Sequence, residues 1–179
     1  MFILKRIPGR AQIIPVYAVI VQIIFIWTIL WFFWKLPSWL YYMNIGEILA
    51  TLSYIFATNL LESLVVMCAP IVISILLPAK WFRDVFVVRG TALIIPGLGY
   101  LMYIAFHFQS RNEYPAIFFK TWAVSLAFSI LFAFVYIAGK INILRKVIEF
   151  IADRAIIFLY IFIPLSLISA LSILFRLIL

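Results

Sequence analysis

Short polar breaks divide an otherwise apolar chain into five segments, and each segment is long enough to cross a bilayer as an α-helix. The segments are residues 13–34, 48–77, 91–108, 121–138 and 155–179. Because only helices and closed barrels satisfy their backbone in lipid, this pattern predicts an all-α polytopic integral membrane protein with about five transmembrane helices. The segment 91–108 is short, so a full crossing and a re-entrant loop are both compatible with it. Its sequence Pro96-Gly97-Leu98-Gly99 lies inside the apolar run, where it suggests a kink or a close helix contact.

The region between the fourth and fifth segments has the spacing of an amphipathic helix. Over residues 140–154, apolar side chains recur on one helical face and polar side chains occupy the other. The apolar set is Ile141, Leu144, Val147, Ile148 and Ile151, and the polar set is Asn142, Arg145, Lys146, Glu149 and Asp153. This predicts an interfacial helix along the inner membrane surface that leads into the fifth span, where it contacts lipid or docks a cytoplasmic partner.

Composition leads to the same protein class. Of the 179 residues, 68% are hydrophobic and 11% are charged, and the mean hydropathy is +1.25. Soluble domains keep about a quarter of their residues charged. We therefore expect one transmembrane domain over residues 1–179, with no soluble domain beside it.

Basic residues are distributed unevenly between the two ends of the predicted helices. With the N-terminus inside, ten lie on the cytoplasmic side and four on the other side. The cytoplasmic set is Lys5, Arg6, Arg10, Lys80, Arg83, Arg89, Lys140, Arg145, Lys146 and Arg154, and the outer set is Lys35, Arg111, Lys120 and Arg176. Because short cytoplasmic loops are enriched in Lys and Arg, this predicts a cytoplasmic N-terminus and an external C-terminus in a prokaryotic-type cell membrane.

The basic residues also bear on the choice of partners. The net charge is +8, but the Lys and Arg residues are spread over short loops and do not gather in one patch. This distribution argues against nucleic-acid binding. We expect the basic side chains to contact anionic lipid headgroups at the inner face of the membrane.

The residue inventory offers no catalytic or metal-binding set. The chain has one histidine, His107, and one cysteine, Cys68, so any site that needs two of either cannot form within it. G-x-S-x-G, G-x-x-x-x-G-K-[ST] and G-x-G-x-x-G motifs are absent. We expect neither enzymatic activity nor a cofactor. His107 is compatible with two roles, a single axial ligand shared with another subunit or an interfacial hydrogen-bonding side chain.

Glu62 is the residue of greatest interest, because it lies near the middle of the second predicted span. A charged side chain at the bilayer centre costs about 3 kcal/mol, so an acid there is a candidate functional residue. No Lys or Arg of the chain lies at that depth. We therefore expect Glu62 to hold its proton and to hydrogen-bond to a neighbouring helix.

Other polar residues near the same depth complete a candidate midplane cluster. Asn59, Glu62 and Ser63 are spaced to share one helical face. The remaining members, on the other four predicted helices, are Gln22, Tyr100, Ser129, Ser166 and Ser169.

Two functions are compatible with these patterns. The first is a non-catalytic accessory or scaffold subunit that packs against other membrane subunits, or against itself, within the bilayer. Minimal loops and the lack of a catalytic set favour it. The second is a small transporter or a proton or ion pathway centred on Glu62. A lipid-modifying enzyme, the third class, lacks a visible acid–base pair.

Overall fold

The computed structural model describes residues 8–79, 81–108 and 121–178. Within these ranges, five helices are long and apolar enough to span a membrane, which confirms the predicted all-α, multi-pass membrane architecture. In chain order they are α1 (Arg10–Trp39), α2 (Ile45–Leu76), α3 (Phe86–Phe108), α4 (Thr121–Lys140) and α5 (Asn142–Ile178).

Several helices extend beyond the predicted apolar segments. A helix continues through polar residues when these residues provide hydrogen-bond partners for the free backbone groups at its end. At the start of α2, Asn44 Oδ1 accepts from the Glu47 backbone N–H at 2.9 Å, and Glu47 Oε2 accepts from the Asn44 N–H at 2.8 Å. This capping box starts the helix three residues before the predicted span. Helix α3 is continuous over 23 residues. At 1.5 Å per residue it is about 34 Å long, enough to cross the hydrocarbon core.

The predicted amphipathic segment is helical, but it forms the first turns of α5 and not a separate element. Only Ile141 separates α4 from α5, which then continues over 37 residues. No glycine or proline interrupts the sequence between Asn142 and Pro164, so nothing local ends the helix between the two predicted elements. On the polar face, Arg145 and Glu149 form a salt bridge at 2.9 Å.

Helix α1 is the centre of the bundle and packs against α2, α3 and α5. The Phe25 ring of α1 stacks on Phe56 of α2, with centroids 5.7 Å apart, and on Phe162 of α5 at 4.7 Å. Helix α4 packs mainly against α3 at the periphery, and most of its side chains are exposed. Such an apolar outer surface is what lipid solvates in a multi-pass protein.

Successive helices run in opposite directions, so the bundle has two ends. The end that holds the starts of α1, α3 and α5, and the ends of α2 and α4, is called the basic end here. It holds the described residues Arg10, Arg83, Arg89, Lys140, Arg145, Lys146 and Arg154, whereas the opposite end holds Lys35 and Arg176. The remaining basic residues, Lys5, Arg6, Lys80, Arg111 and Lys120, lie outside the described residues.

Candidate functional site

An open groove runs along the side of the bundle between α2 and α3, with α1 as its floor. It forms because α2 and α3 each pack against other helices and make few contacts with one another. Its volume is about 450 Å³, and side chains near the middle of the three helices line it. The lining is almost entirely apolar and includes Ile24, Leu61, Val65, Leu98, Leu101 and Met102.

Glu62 lies in the α2 wall of this groove, and its side chain is exposed. The other polar residues of the lining are Thr28 and Thr58. Thr28 Oγ1 is already engaged, because it lies within 3.0 Å of the Ile24 carbonyl and accepts from Asn59. Among the described residues, none forms a hydrogen bond or an ion pair with the Glu62 carboxylate. The predicted hydrogen bond from Glu62 to a neighbouring helix is therefore absent from the described part of the chain.

Asn59 and Ser63 face a different surface, the buried seam between α1 and α2. Asn59 Nδ2 donates to Thr28 Oγ1 at 2.6 Å. Ser63 Oγ donates to the Leu60 carbonyl at 2.8 Å and lies 3.1 Å from the Tyr17 hydroxyl. Both side chains are buried and hydrogen-bonded.

The three residues thus share a helical turn without sharing one environment. Since each residue advances roughly 100° around an α-helix, Glu62 is turned about 60° from Asn59 and about 100° from Ser63. That rotation carries the carboxylate out of the seam and into the groove. The sequence showed no partners for Asn59 and Ser63. For Asn59, the available signal was that Thr28 lies at a matching depth on the preceding antiparallel helix.

The remaining members of the predicted cluster do not join this site. Gln22 of α1 is half-buried, and Tyr100 of α3 and Ser129 of α4 are exposed. Ser166 and Ser169 are both buried on α5. None of the five lines the groove.

The hydroxyls of two of these serines are satisfied within their own helices. Ser129 Oγ donates to the Ser125 carbonyl and Ser166 Oγ to the Phe162 carbonyl, both at 2.8 Å. Serine commonly makes this back-bond inside a helix, where it removes the need for a partner on another helix. The structure therefore brings Asn59 and Ser63 into one seam and leaves Glu62 beside it.

Two further sequence expectations change with the structure. Arg89, which the apolar pattern assigned to a loop, lies in α3 and is 7% exposed, because α3 begins at Phe86. A Cβ added at Gly97 or Gly99 would meet no atom within 4 Å among the described residues. Neither glycine is therefore at the close helix contact that the Pro96-Gly97-Leu98-Gly99 sequence suggested.

The chain matches no protein-family model, no curated protein and no solved structure. Over the described residues, no group of three or more His, Cys, Asp or Glu side chains is placed to hold a metal ion. The side chain of His107 lies outside the described part. The groove and the polar side chains around it are therefore the features of the molecule that bear on its function.

Proposed function

We propose that this chain is a non-catalytic integral membrane protein, an accessory or scaffold subunit whose groove receives a transmembrane helix of another protein. The observation that carries the proposal is Glu62, an exposed carboxylate at mid-depth without a partner among the described residues. Leaving an acid against hydrocarbon costs about 3 kcal/mol, and a donor on a partner helix offsets that cost.

The carboxyl group of Glu62 selects the chemistry of the partner, because an acid that holds its proton against hydrocarbon becomes an ion-pair partner once a base lies beside it. A helix with a Lys or Arg at mid-depth supplies the missing cation, and apolar side chains around that residue match the apolar lining of the groove. A second copy of this chain does not meet the requirement, because no Lys or Arg lies near the middle of any of the five apolar segments of its sequence. The proposed partner is therefore a different membrane protein.

The proposal includes an orientation in a prokaryotic-type cell membrane. The basic end faces the cytoplasm, which places the N-terminus inside and the C-terminus outside. The ten-to-four distribution of Lys and Arg supports this assignment. Basic side chains at that end then lie beside the anionic lipid headgroups of the inner leaflet.

A proton or ion pathway centred on Glu62 is the alternative, and the same unpaired carboxylate favours it. The surrounding residues give it less support. Asn59 and Ser63 are enclosed in the seam, and Ser129 is exposed on the peripheral helix α4. A pathway needs a continuous series of polar groups or water, whereas the groove around Glu62 is lined almost entirely by apolar side chains.

Site-specific photo-crosslinking in native membranes tests the proposed partner. A photoreactive residue replaces Leu101 in the groove or, as the control, Phe132 on the outer surface of α4. We expect the Leu101 probe to crosslink to a transmembrane helix that carries a Lys or Arg at mid-depth. The Phe132 probe should not give that product. Mass spectrometry of the crosslinked peptide identifies the helix and its basic residue.

Variants of Glu62 then test whether the carboxylate holds the partner. Glu62→Leu should abolish the Leu101 crosslink, and Glu62→Gln, which keeps the size and loses the charge, should weaken it about tenfold. Arg176→Leu, which removes an exposed charge from α5, should leave it unchanged. Equal crosslinking by wild type and Glu62→Leu contradicts the proposal. A chain that purifies without a partner, with proton flux in proteoliposomes that Glu62→Gln abolishes, supports the pathway instead.

A further inference from the structure

Arg89 presents a buried positive charge that the described residues do not neutralise. Its side chain is 7% exposed, and its Nε and Nη1 atoms are inaccessible and have no hydrogen-bond partner. Ser74 Oγ and Thr91 Oγ1 are also buried without partners, but both are neutral hydroxyls. A buried guanidinium is far more costly to leave unpaired, because burial removes the hydration of a full charge.

Arg89 belongs to a cluster at the basic end that also contains two aromatic rings and a second cation. The guanidinium carbon lies 5.6 Å from the centroid of the Trp81 ring, and Trp81 stacks on Tyr136 of α4 at 5.5 Å. Lys140 Nζ lies 4.6 Å from the Tyr136 centroid. The two stacked rings therefore lie between the two cations in the order of contacts, and the cluster joins the connection between α2 and α3 to the end of α4.

The backbone of α4 leaves room for this arrangement only because residue 139 is glycine. A Cβ at Gly139 would lie 2.5 Å from Arg89 Nε and 2.9 Å from Nη2. The guanidinium thus packs directly against the last turn of α4, where the helix dipole favours a cation. The dipole and the Trp81 ring reduce the cost of burial, but neither supplies a hydrogen-bond acceptor to Nε or Nη1.

No acid among the described residues completes the pair. The salt bridge found there joins Arg145 to Glu149, on the exposed face of α5. Asp84, close to Arg89 in sequence, is exposed and forms no ion pair with it. The described residues therefore provide no anion that balances the charge of Arg89.

We infer that Arg89 and Lys140 form a binding site for a phosphate group, supplied by the headgroup of an anionic phospholipid. A guanidinium N–H forms a charge-assisted hydrogen bond with a phosphate oxygen, and an ammonium adds a second charge. Trp and Tyr rings concentrate at the headgroup level of membrane proteins, which is where this cluster lies along α3 and α4. The Trp81 ring is exposed at the edge of the cluster, and Nη2 is the guanidinium nitrogen that is not both inaccessible and unpartnered, so a headgroup oxygen at this edge would bind Nη2. This site is independent of Glu62 and of the proposed partner.

Lipid binding to the purified full-length chain tests the site. Native mass spectrometry in a non-ionic detergent compares retention of phosphatidylglycerol and phosphatidylcholine, and thermal unfolding is followed with either lipid or with millimolar inorganic phosphate. We expect wild type to prefer phosphatidylglycerol about tenfold, the gain from a charge-assisted hydrogen bond. Arg89→Gln should remove the preference. Arg89→Lys and Lys140→Gln should each retain part of it.

Arg154→Gln is the matched control, because Arg154 is also a basic-end arginine beside a ring, 5.3 Å from the Phe150 centroid, but is exposed. It should keep the wild-type preference. Inorganic phosphate that stabilises wild type and displaces the lipid identifies a free phosphate as the ligand of the same site. Wild type that responds to neither phosphatidylglycerol nor phosphate overturns the inference, even if Arg89→Gln does not fold. An equal loss in Arg154→Gln and Arg89→Gln also overturns it, because diffuse surface charge then explains the binding.

Discussion

One turn of α2 faces two different environments, the α1–α2 seam and the groove. Asn59 and Ser63 in the seam are buried and hydrogen-bonded to residues of α1, whereas Glu62 in the groove is exposed and has no such bond among the described residues. All three lie at nearly the same depth. The depth of a polar residue in the membrane thus indicates a free-energy cost of placing it in hydrocarbon. The angular position of that residue around the helix decides whether other residues of the protein offset the cost.

The seam and the groove also differ in what they contribute to stability. In the seam, packing and hydrogen bonds hold the bundle together without a ligand. In the groove, exposed apolar side chains and an unpaired acid contribute little to the isolated chain. Substitutions at matched positions should therefore separate residues needed for folding from residues needed for assembly.

The largest difference in the effect of substitution on stability is expected between Phe25 in the core and Leu101 in the groove. Phe25→Ala removes the ring that joins α1 to α2 and α5, and the cavity should destabilise the fold by about 3 kcal/mol. Leu101 is 61% exposed, so Leu101→Ala should change stability by about 0.5 kcal/mol at most. Unfolding by a denaturing detergent in lipid–detergent mixtures measures both. Similar losses of unfolding free energy in the two variants would show that Leu101 packs against other residues of this chain and does not line an open groove.

A pair of glycines extends the comparison to the basic end. Gly139→Ala places a methyl group against the buried Arg89 guanidinium and should destabilise by about 1–3 kcal/mol. Gly97→Ala, beside Leu98 of the groove, meets no atom within 4 Å and should be neutral or slightly stabilising, because alanine favours the helix. The same unfolding assay measures both variants. If Gly139→Ala is neutral, Arg89 does not pack against α4 as described.

Asn59 and Thr58 provide a smaller contrast between adjacent residues. Asn59→Leu keeps the size but loses the hydrogen bond to Thr28, and interhelical bonds of this kind contribute about 0.6 kcal/mol and up to about 1.7 kcal/mol. Thr58→Val, in the groove wall, should have almost no effect. A double-mutant cycle of Asn59→Leu with Thr28→Val measures the bond directly. Strict additivity in that cycle would mean that the two side chains are not coupled.

The fold could be predicted from the sequence because hydrocarbon leaves the backbone few choices. An apolar segment of sufficient length must form a helix in lipid, so all five spans follow from hydropathy. The positions at which the helices begin and end, where polar residues lie, could not be predicted from hydropathy in the same way. Arg89 lies in α3, and residues 142–154 are continuous with the fifth span, because caps and neighbouring helices decide where a helix begins, and a polar residue does not by itself end one.

The environments of the polar side chains could be predicted only in part. Helical spacing placed Asn59, Glu62 and Ser63 in one turn, but it gave no rotation of α2 relative to α1 and α3. That rotation depends on packing such as the Phe25–Phe56 stack, which joins residues 31 positions apart in the chain. The cluster at Arg89 depends likewise on α3 and α4 meeting at Gly139, a contact that no local pattern reveals.

The smallest effect on stability is expected at Glu62, although its effect on assembly should be the greatest. A hydrogen bond to a neighbouring helix would make Glu62→Leu cost about 1 kcal/mol. Because the described residues provide no such bond, Glu62→Leu should leave the isolated chain within about 0.5 kcal/mol of wild type, or stabilise it by removing an acid from an apolar surface. Unfolding of the purified variant, without any partner, measures this. A loss of 1 kcal/mol or more would mean that Glu62 serves the fold of this chain, and the groove would then lose the feature that marks it as a binding surface.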